Sequence, residues 1–406
     1  VPSALTWLDS SAEAQRRIRE IVKLFIEVES RDELGIGQIR DVYSNRLFPG
    51  VSVIQTRARY FLFVPWLYQR HTARGHRGAQ LRQRVVTSER KLIDALRSAG
   101  DTNGLIGLRV GSNLKVPPST IYWSGLRRLG ILTTNVDPDE LGWRGGLRED
   151  DVLDELAERH VGDWHPTLPA PPPGFPDAVD DGFRMTRDEA SWLRDIIVEH
   201  CPATLLAHLV TSPQPPRPET LGPWDEPLTH SATPEILEIV EQARQFSLVM
   251  HGAALLYNLL LAEAYEDAGH DRFPELAQVY RSRLRDWTVT VEAELPVLRE
   301  WDMPLWQQDI LRFNPRIAPG TLLFVQRWLE TAFSVPAAVA DSPIARELIT
   351  QRERMQKKGQ ARLQNPRLLA LWNGSSASSP LTYRWGTVVQ LLTDIVTPLE
   401  DVVASA

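Results

Sequence analysis

SRDELGIGQIRDVYSNRLFPGVSVIQTRARYFLFVPW, residues 30–66, is the stretch on which the fold class turns. It sets Arg31, Arg40, Arg46, Arg57 and Arg59 among some of the most apolar and aromatic sequence in the chain. Arginines this close to Tyr60, Phe61, Phe63 and Trp66 must pair with carboxylates, stack on rings, or be held for an anionic ligand. Local neutralisation is open to Arg31, Asp32, Glu33, Arg40 and Asp41. Residues 51–64 carry two readings: the β-branched start VSVI suits a strand, whereas TRARYFLFVPWLY has helical spacing. In a strand Arg57 and Arg59 share one face and favour an anion site. In a helix they diverge by about 200° and take separate structural roles.

Outward from this stretch the apolar spacing is helical. Ile18, Ile21, Val22, Phe25 and Ile26 predict a helix over 12–29 behind a Ser10/Ser11 cap. RDELGIG reads as a turn, Ile39, Val42 and Tyr43 as a short helix, and FPG at 48–50 as its end. Leu81, Val85, Leu92, Ile93 and Leu96 predict a basic amphipathic helix over 79–98. GLIGLRVGSNLKVPPSTIYWSGLRRLGILTT, residues 104–134, predicts a short helix, a turn at 115–118 and a second helix capped by Ser119, with Arg127 and Arg128 outward. After 81–98, this is the order of a winged helix-turn-helix. An ordinary helical hairpin in the core satisfies the same pattern, and Tyr122 and Trp123 speak for it.

Residues 137–230 are acidic and proline-dense, with APPPGFP at 170–176 and SPQPPRPETLGPWDEP at 212–227. Such sequence favours extended connections over a compact core, around one helix at 186–210 kinked at Pro202. Helices are expected over 234–267, 273–299, 320–334, 342–371 and 381–403. The most apolar of them, between Leu248 and Tyr265, is interrupted by His251, Gly252, Asn258 and Glu263 and reads as a buried core helix, not a membrane span. The expected fold is mainly α: an N-terminal helical domain over 1–136 with its winged-helix candidate at 81–136, an acidic connecting region over 137–230, and a helical C-terminal domain over 231–406.

The net charge of −7 conceals an asymmetry. Residues 46–128 hold 15 Lys/Arg against 3 Asp/Glu, residues 137–241 hold 7 against 23, and residues 344–384 hold 8 against 2. The two basic regions suit a polyanion partner; alternatively the acidic middle folds against them. One cysteine, Cys201, excludes an intrachain disulfide framework. The opening VPSALTWLDSS lacks a basic flank followed by an apolar run, and a cytoplasmic location is expected.

Catalytic signatures are missing: there is no phosphate loop, dinucleotide fingerprint, H-E-x-x-H or G-x-S-x-G. His200 and His208 have no carboxylate spaced to complete a ligand set. Asp341, Glu347, Gln356 and Lys358 imitate the spacing of a magnesium-dependent nuclease, but on a segment that reads as helical, where they would point apart. RERMQKKGQARLQNPRLLALWNGSSASSPLTYRW, residues 352–385, clusters Lys357, Lys358, Arg362 and Arg367 ahead of Trp372, with Arg384 between Tyr383 and Trp385. Cations there would meet phosphates and rings would stack on unpaired bases; otherwise the rings anchor the last helix in the core. No cofactor, metal or catalytic residue is assigned.

The run SRDELGIG…IRD…LFPG…IQTRARY…FVPW resembles an uncharacterised bacterial family, domain of unknown function 6361, with Ser30 where that family is expected to have Thr. LTWLDSS, PSTIYWSGL and KGQARLQNPRLLALWNG…LTYRW extend the resemblance over nearly the whole chain. The resemblance implies no activity or catalytic residue. It does imply a gene neighbourhood of helicase-like and phospholipase D-like genes in phage-defence islands. Together these readings give a non-catalytic subunit of a bacterial antiviral defence system that binds DNA without sequence choice, or positions a helicase-like or nuclease-like partner on it. Its candidate phosphate contacts are Arg57, Arg59, Arg82, Arg84, Arg127, Arg128, Lys357, Lys358 and Arg362. A protein–protein adaptor and a divergent metal-dependent nuclease are the alternatives.

Overall fold

A computed structural model describes residues 32–108, 114, 116–138, 140–141, 163–334 and 336–400. The helix expected over 12–29 lies outside them, as does Arg31. In chain order the helices are α1 (Gly37–Leu47), α2 (Tyr60–Thr72), α3 (Gly78–Ser98), α4 (Pro118–Arg128), α5 (Arg187–His200), α6 (Leu205–Val210) and α7 (Pro234–Asp267). There follow α8 (Leu276–Arg299), α9 (Met303–Phe313), α10 (Pro319–Ser334), α11 (Pro343–Lys357), α12 (Pro366–Ala370) and α13 (Trp385–Glu400). Among the described residues no strand forms, and extended pairing is limited to an antiparallel bridge between Leu132 and Trp164. The protein is mainly α.

The chain divides into two compact units. Of the described residues, those within 1–42 and 242–381 form unit I and those within 43–241 and 382–406 form unit II. This grouping differs from a contiguous three-part division because each unit recruits the far end of the chain. In unit II, for example, α13 packs on α5 and α6.

Unit II is built around α2. The ambiguous 51–64 stretch is irregular over 51–59 and then helical, and every residue from Tyr60 to Tyr68 is buried. A helix that is apolar all round can only be a core helix; α3 and α4 pack against it. The irregular lead-in is pinned by the Tyr122 hydroxyl, which accepts from the backbone N–H of Thr56 (2.9 Å) and Arg57 (3.1 Å) and donates to the Arg57 carbonyl (2.8 Å). Tyr122 therefore belongs to the core, as the hairpin reading requires. Of the short helix expected ahead of α4 in the winged helix-turn-helix candidate, the described residues 103–108 form turns, and 109–113 lie outside the described residues.

The proline-dense region also departs from expectation. Trp164, Phe175, Val179, Phe183 and Met185 are buried, and Phe175 stacks on Phe63 (5.7 Å) and meets the edge of Trp66 (5.3 Å). Its apolar residues, sparse in sequence, are concentrated on the helices by chain that needs no regular structure of its own. Pro202 ends a helix here where a kink was expected. The 186–210 segment splits into α5 and α6, with Ala203 at φ 54 in the left-handed region between them.

The 242–267 part of α7 forms the middle of unit I, and the polar interruptions of its apolar run each have a partner. Asn258 donates to the Ser376 carbonyl (2.9 Å) and accepts from the Ser376 N–H (2.7 Å). Glu263 pairs with Arg281 (2.6 Å) and Arg346. A Cβ on Gly252 would lie 2.2 Å from the Trp287 ring, so only glycine admits that indole, whose N–H donates to the Leu248 carbonyl (2.8 Å). His251 meets the Ser378 carbonyl at 3.2 Å, and burial lowers its pKa to about 4. By length and composition α7 could cross a membrane, but 83% of its apolar window is buried in the fold. Two further corrections concern the C-terminal third. The expected 342–371 helix stops at Lys357, because Lys358 adopts φ 51, and short 3₁₀ turns lead to α12. Helix α9 was not foreseen; its start is set by Asp302, whose side chain accepts from the Leu305 N–H (2.9 Å).

Candidate nucleic-acid interface

Four of the nine basic residues singled out from sequence are committed inside the fold. Arg57 donates through Nε to both Asp394 carboxylate oxygens (3.0 and 3.1 Å) and through Nη1 to the Asn103 carbonyl (3.0 Å), with its guanidinium over the Phe183 ring at 4.7 Å. Arg59 is 1% exposed. It donates to Glu189 (2.9 Å) and to the Gly182 carbonyl (2.8 Å). Neither lies on a strand, and each has its own structural role.

In unit I, Lys357 pairs with Glu33 and donates to the Tyr257 hydroxyl (3.0 Å), while Arg362 reaches Glu33 (3.2 Å) and Ser376 Oγ (3.0 Å). Beneath them Glu353, 0% exposed, accepts from Tyr257 Oη (2.5 Å) and from the backbone N–H of Arg362 (2.9 Å) and Leu363 (3.1 Å). Two carboxylates and two cations thus balance in one buried network. Burial opposes the ionisation of Glu33, but Lys357 and Arg362 hold its pKa below the usual carboxylate value. Burial and the neighbouring Glu353 raise that of Tyr257.

The other five, Arg82, Arg84, Arg127, Arg128 and Lys358, have exposed side chains. Helix α3 buries Leu81, Val85, Leu92, Ile93 and Leu96 and turns Arg82, Arg84, Arg90, Lys91 and Arg97 outward. Lys91 is partly neutralised by Asp177 (3.0 Å) and Arg97 by Asp94 (3.3 Å). Arg84 and Arg90 have no ion-pair partner among the described residues. At the end of α2, Arg70 and Arg74 join Arg84 around His71, whose pKa is lowered to about 4 by burial and by these cations and His76. Arg74 and Arg90 were missed in the sequence reading; the run QRHTARGHR, which closes one helix and leads into the next, was the available signal for Arg74, and the polar face of the basic 79–98 helix was that for Arg90.

Helix α4 buries Ile121, Tyr122, Gly125 and Leu126 and exposes Thr120, Ser124, Arg127 and Arg128. Arg127 donates to the Val136 carbonyl (2.9 Å) and sits 4.0 Å from exposed Asp137. At the C-terminus the reading of the rings as core anchors holds: Trp372, Tyr383 and Trp385 are buried, and Arg384 bonds Asn45 (2.9 Å) and the Val51 carbonyl (2.6 Å). The nuclease-like set does not converge either. Asp341 pairs with Arg281 (2.7 Å), and Glu347 and Gln356 are about 14 Å apart along the helix. Among the described residues no group of three or more His, Cys, Asp or Glu could hold a metal ion.

Glu89 couples α3 to α4. Its carboxylate accepts from the Ser119 N–H (2.6 Å) at the start of α4, and Oε2 has no partner. Burial pushes its pKa from 4.5 up to about 7, against the lowering effect of Ser119. The folded protein therefore keeps a proton that the unfolded chain releases, and stability falls as pH rises from about 4.5 through about 7. Glu89→Gln removes this slope. The stability of unit II in urea, read from local protection in α3 and α4, should match the parent near pH 4 and exceed it by up to about 3 kcal/mol at pH 8. His71, whose slope is opposite, contributes equally to both proteins. A gap that does not change with pH would refute the assignment.

The family model described as Family of unknown function (DUF6361) matches residues 2–398, and the chain belongs to that family. No curated protein and no solved structure matches it.

Proposed function

We propose that this member of the DUF6361 family is a DNA-binding, non-catalytic subunit of a bacterial antiviral defence system that holds a helicase-like or nuclease-like partner on DNA. The observation that carries the DNA-binding part is the display of Arg74, Arg82, Arg84, Arg90, Arg127 and Arg128 as exposed side chains of unit II, while Arg57 and Arg59 of the same region are internal. Guanidiniums on rigid helices supply affinity for phosphates without sequence choice. The defence context is supported by the gene neighbourhood that the family resemblance implies.

The test is fluorescence anisotropy of the full chain against labelled DNA across a salt series. Binding should weaken steeply with salt, and each of Arg84→Glu and Arg128→Glu should flatten the slope by about 1 or more. Absence of binding at low salt would sink the reading. An adaptor role is favoured by a separate observation: Val289, Val297, Leu305 and Phe313 of α8 and α9 are 49–69% exposed. Capture of a partner with no DNA present, abolished by Leu305→Asp and Phe313→Asp, would establish it.

A further inference from the structure

We infer that the nucleic acid held by unit II is double-stranded and is gripped by its sugar-phosphate backbone, not by stacking on unpaired bases. This rests on the DNA-binding reading above and adds strandedness to it.

The first support is the placement of the aromatic residues. In sequence they interleave with the cations, as in proteins that bind single strands; in the fold they face inward. Tyr60, Tyr68 and Tyr122 are at most 1% exposed, and the Trp123 ring lies against Tyr68 (5.3 Å) and Trp164 (6.1 Å). Among the described residues no Trp or Tyr is exposed, and the exposed Phe313 belongs to unit I. A single strand on such a surface forgoes about 1–3 kcal/mol of stacking per base.

The second support is the chemistry of the outward stripe of α4. Thr120, Ser124, Arg127 and Arg128 stand at i, i+4, i+7 and i+8, on one face of the helix. Hydroxyls and guanidiniums are donors to phosphate and sugar oxygens; the one ring on this face, Trp123, is half-buried and turned against Tyr68 and Trp164. The third is rigidity. Arg84 and Arg90 stand about 9 Å apart along α3, on a helix whose other face is buried. A fixed array of cations matches a stiff duplex, with one charge per about 1.7 Å of axis, better than a flexible strand that must be ordered on binding.

The experiment compares a labelled duplex of about 20 base pairs with either of its strands alone at matched ionic strength. The duplex should bind about tenfold or more tightly. Arg127→Glu together with Arg128→Glu should bring its affinity down toward that of the strand. Equal or tighter binding of the single strand would overturn the strandedness and leave DNA binding standing, whereas no binding of either would overturn both.

Discussion

Arg59→Met is expected to destabilise unit II by about 3–5 kcal/mol, because it leaves the Glu189 carboxylate buried without its cation. Arg59 stands at the N-terminal end of α2 without capping it, where the helix dipole disfavours a positive charge. Glu189 offsets that cost and has a second duty at the start of α5: its other oxygen accepts from the Thr186 N–H (2.9 Å), while its own N–H donates to Thr186 Oγ1 (3.2 Å). The pair thereby fastens the N-termini of two helices. Glu189→Gln keeps the acceptor for Thr186 but strands the Arg59 cation, and a loss of similar size is expected. The double variant Arg59→Met/Glu189→Gln buries no charge at the site and should recover more than half of the summed losses, a coupling of about 3 kcal/mol or more. Urea unfolding with hydrogen exchange in α2 and α5 gives the readout. Losses that simply add would show that the ion pair does not carry the junction.

The second large effect is expected at Glu353 in unit I. Glu353→Ala removes the acceptor for two backbone N–H groups and the Tyr257 hydroxyl, and leaves Glu33 alone to balance Lys357 and Arg362. A cost of about 4 kcal/mol follows, against about 1–2 kcal/mol for Tyr257→Phe, which deletes one hydrogen bond to the same carboxylate. Because the chain has two compact units, a single whole-chain unfolding energy is a poor measure. Hydrogen exchange of peptides across 353–376 should rise strongly in Glu353→Ala, with peptides of α2 unaffected. Unchanged protection there would mean the network is not needed to hold the 358–376 segment.

Helices α3, α7, α8 and α10 were legible because a helix face is written at three- and four-residue spacing, within reach of a local pattern. The polar breaks in α7 likewise marked a core helix, since lipid gives Asn258 and Glu263 nothing to bond. The 51–64 stretch was not legible: with every side chain from Tyr60 to Tyr68 buried, no polar face remains to reveal the period. Helix α9 was hidden by its short length, and the core role of 163–232 by its prolines.

The charges were hardest. Windows of sequence sum neighbours, but Arg57 finds Asp394 at a separation of 337 residues, Arg59 finds Glu189 at 130 and Lys357 finds Glu33 at 324. Sequence alone settled the helical class and the faces of its longer helices, because both follow from interactions a turn or so apart. Which arginines are internal fasteners and which face solvent was settled only by tertiary packing, since a buried guanidinium needs a specific carboxylate at about 3 Å, and no local pattern says where along the chain that partner lies.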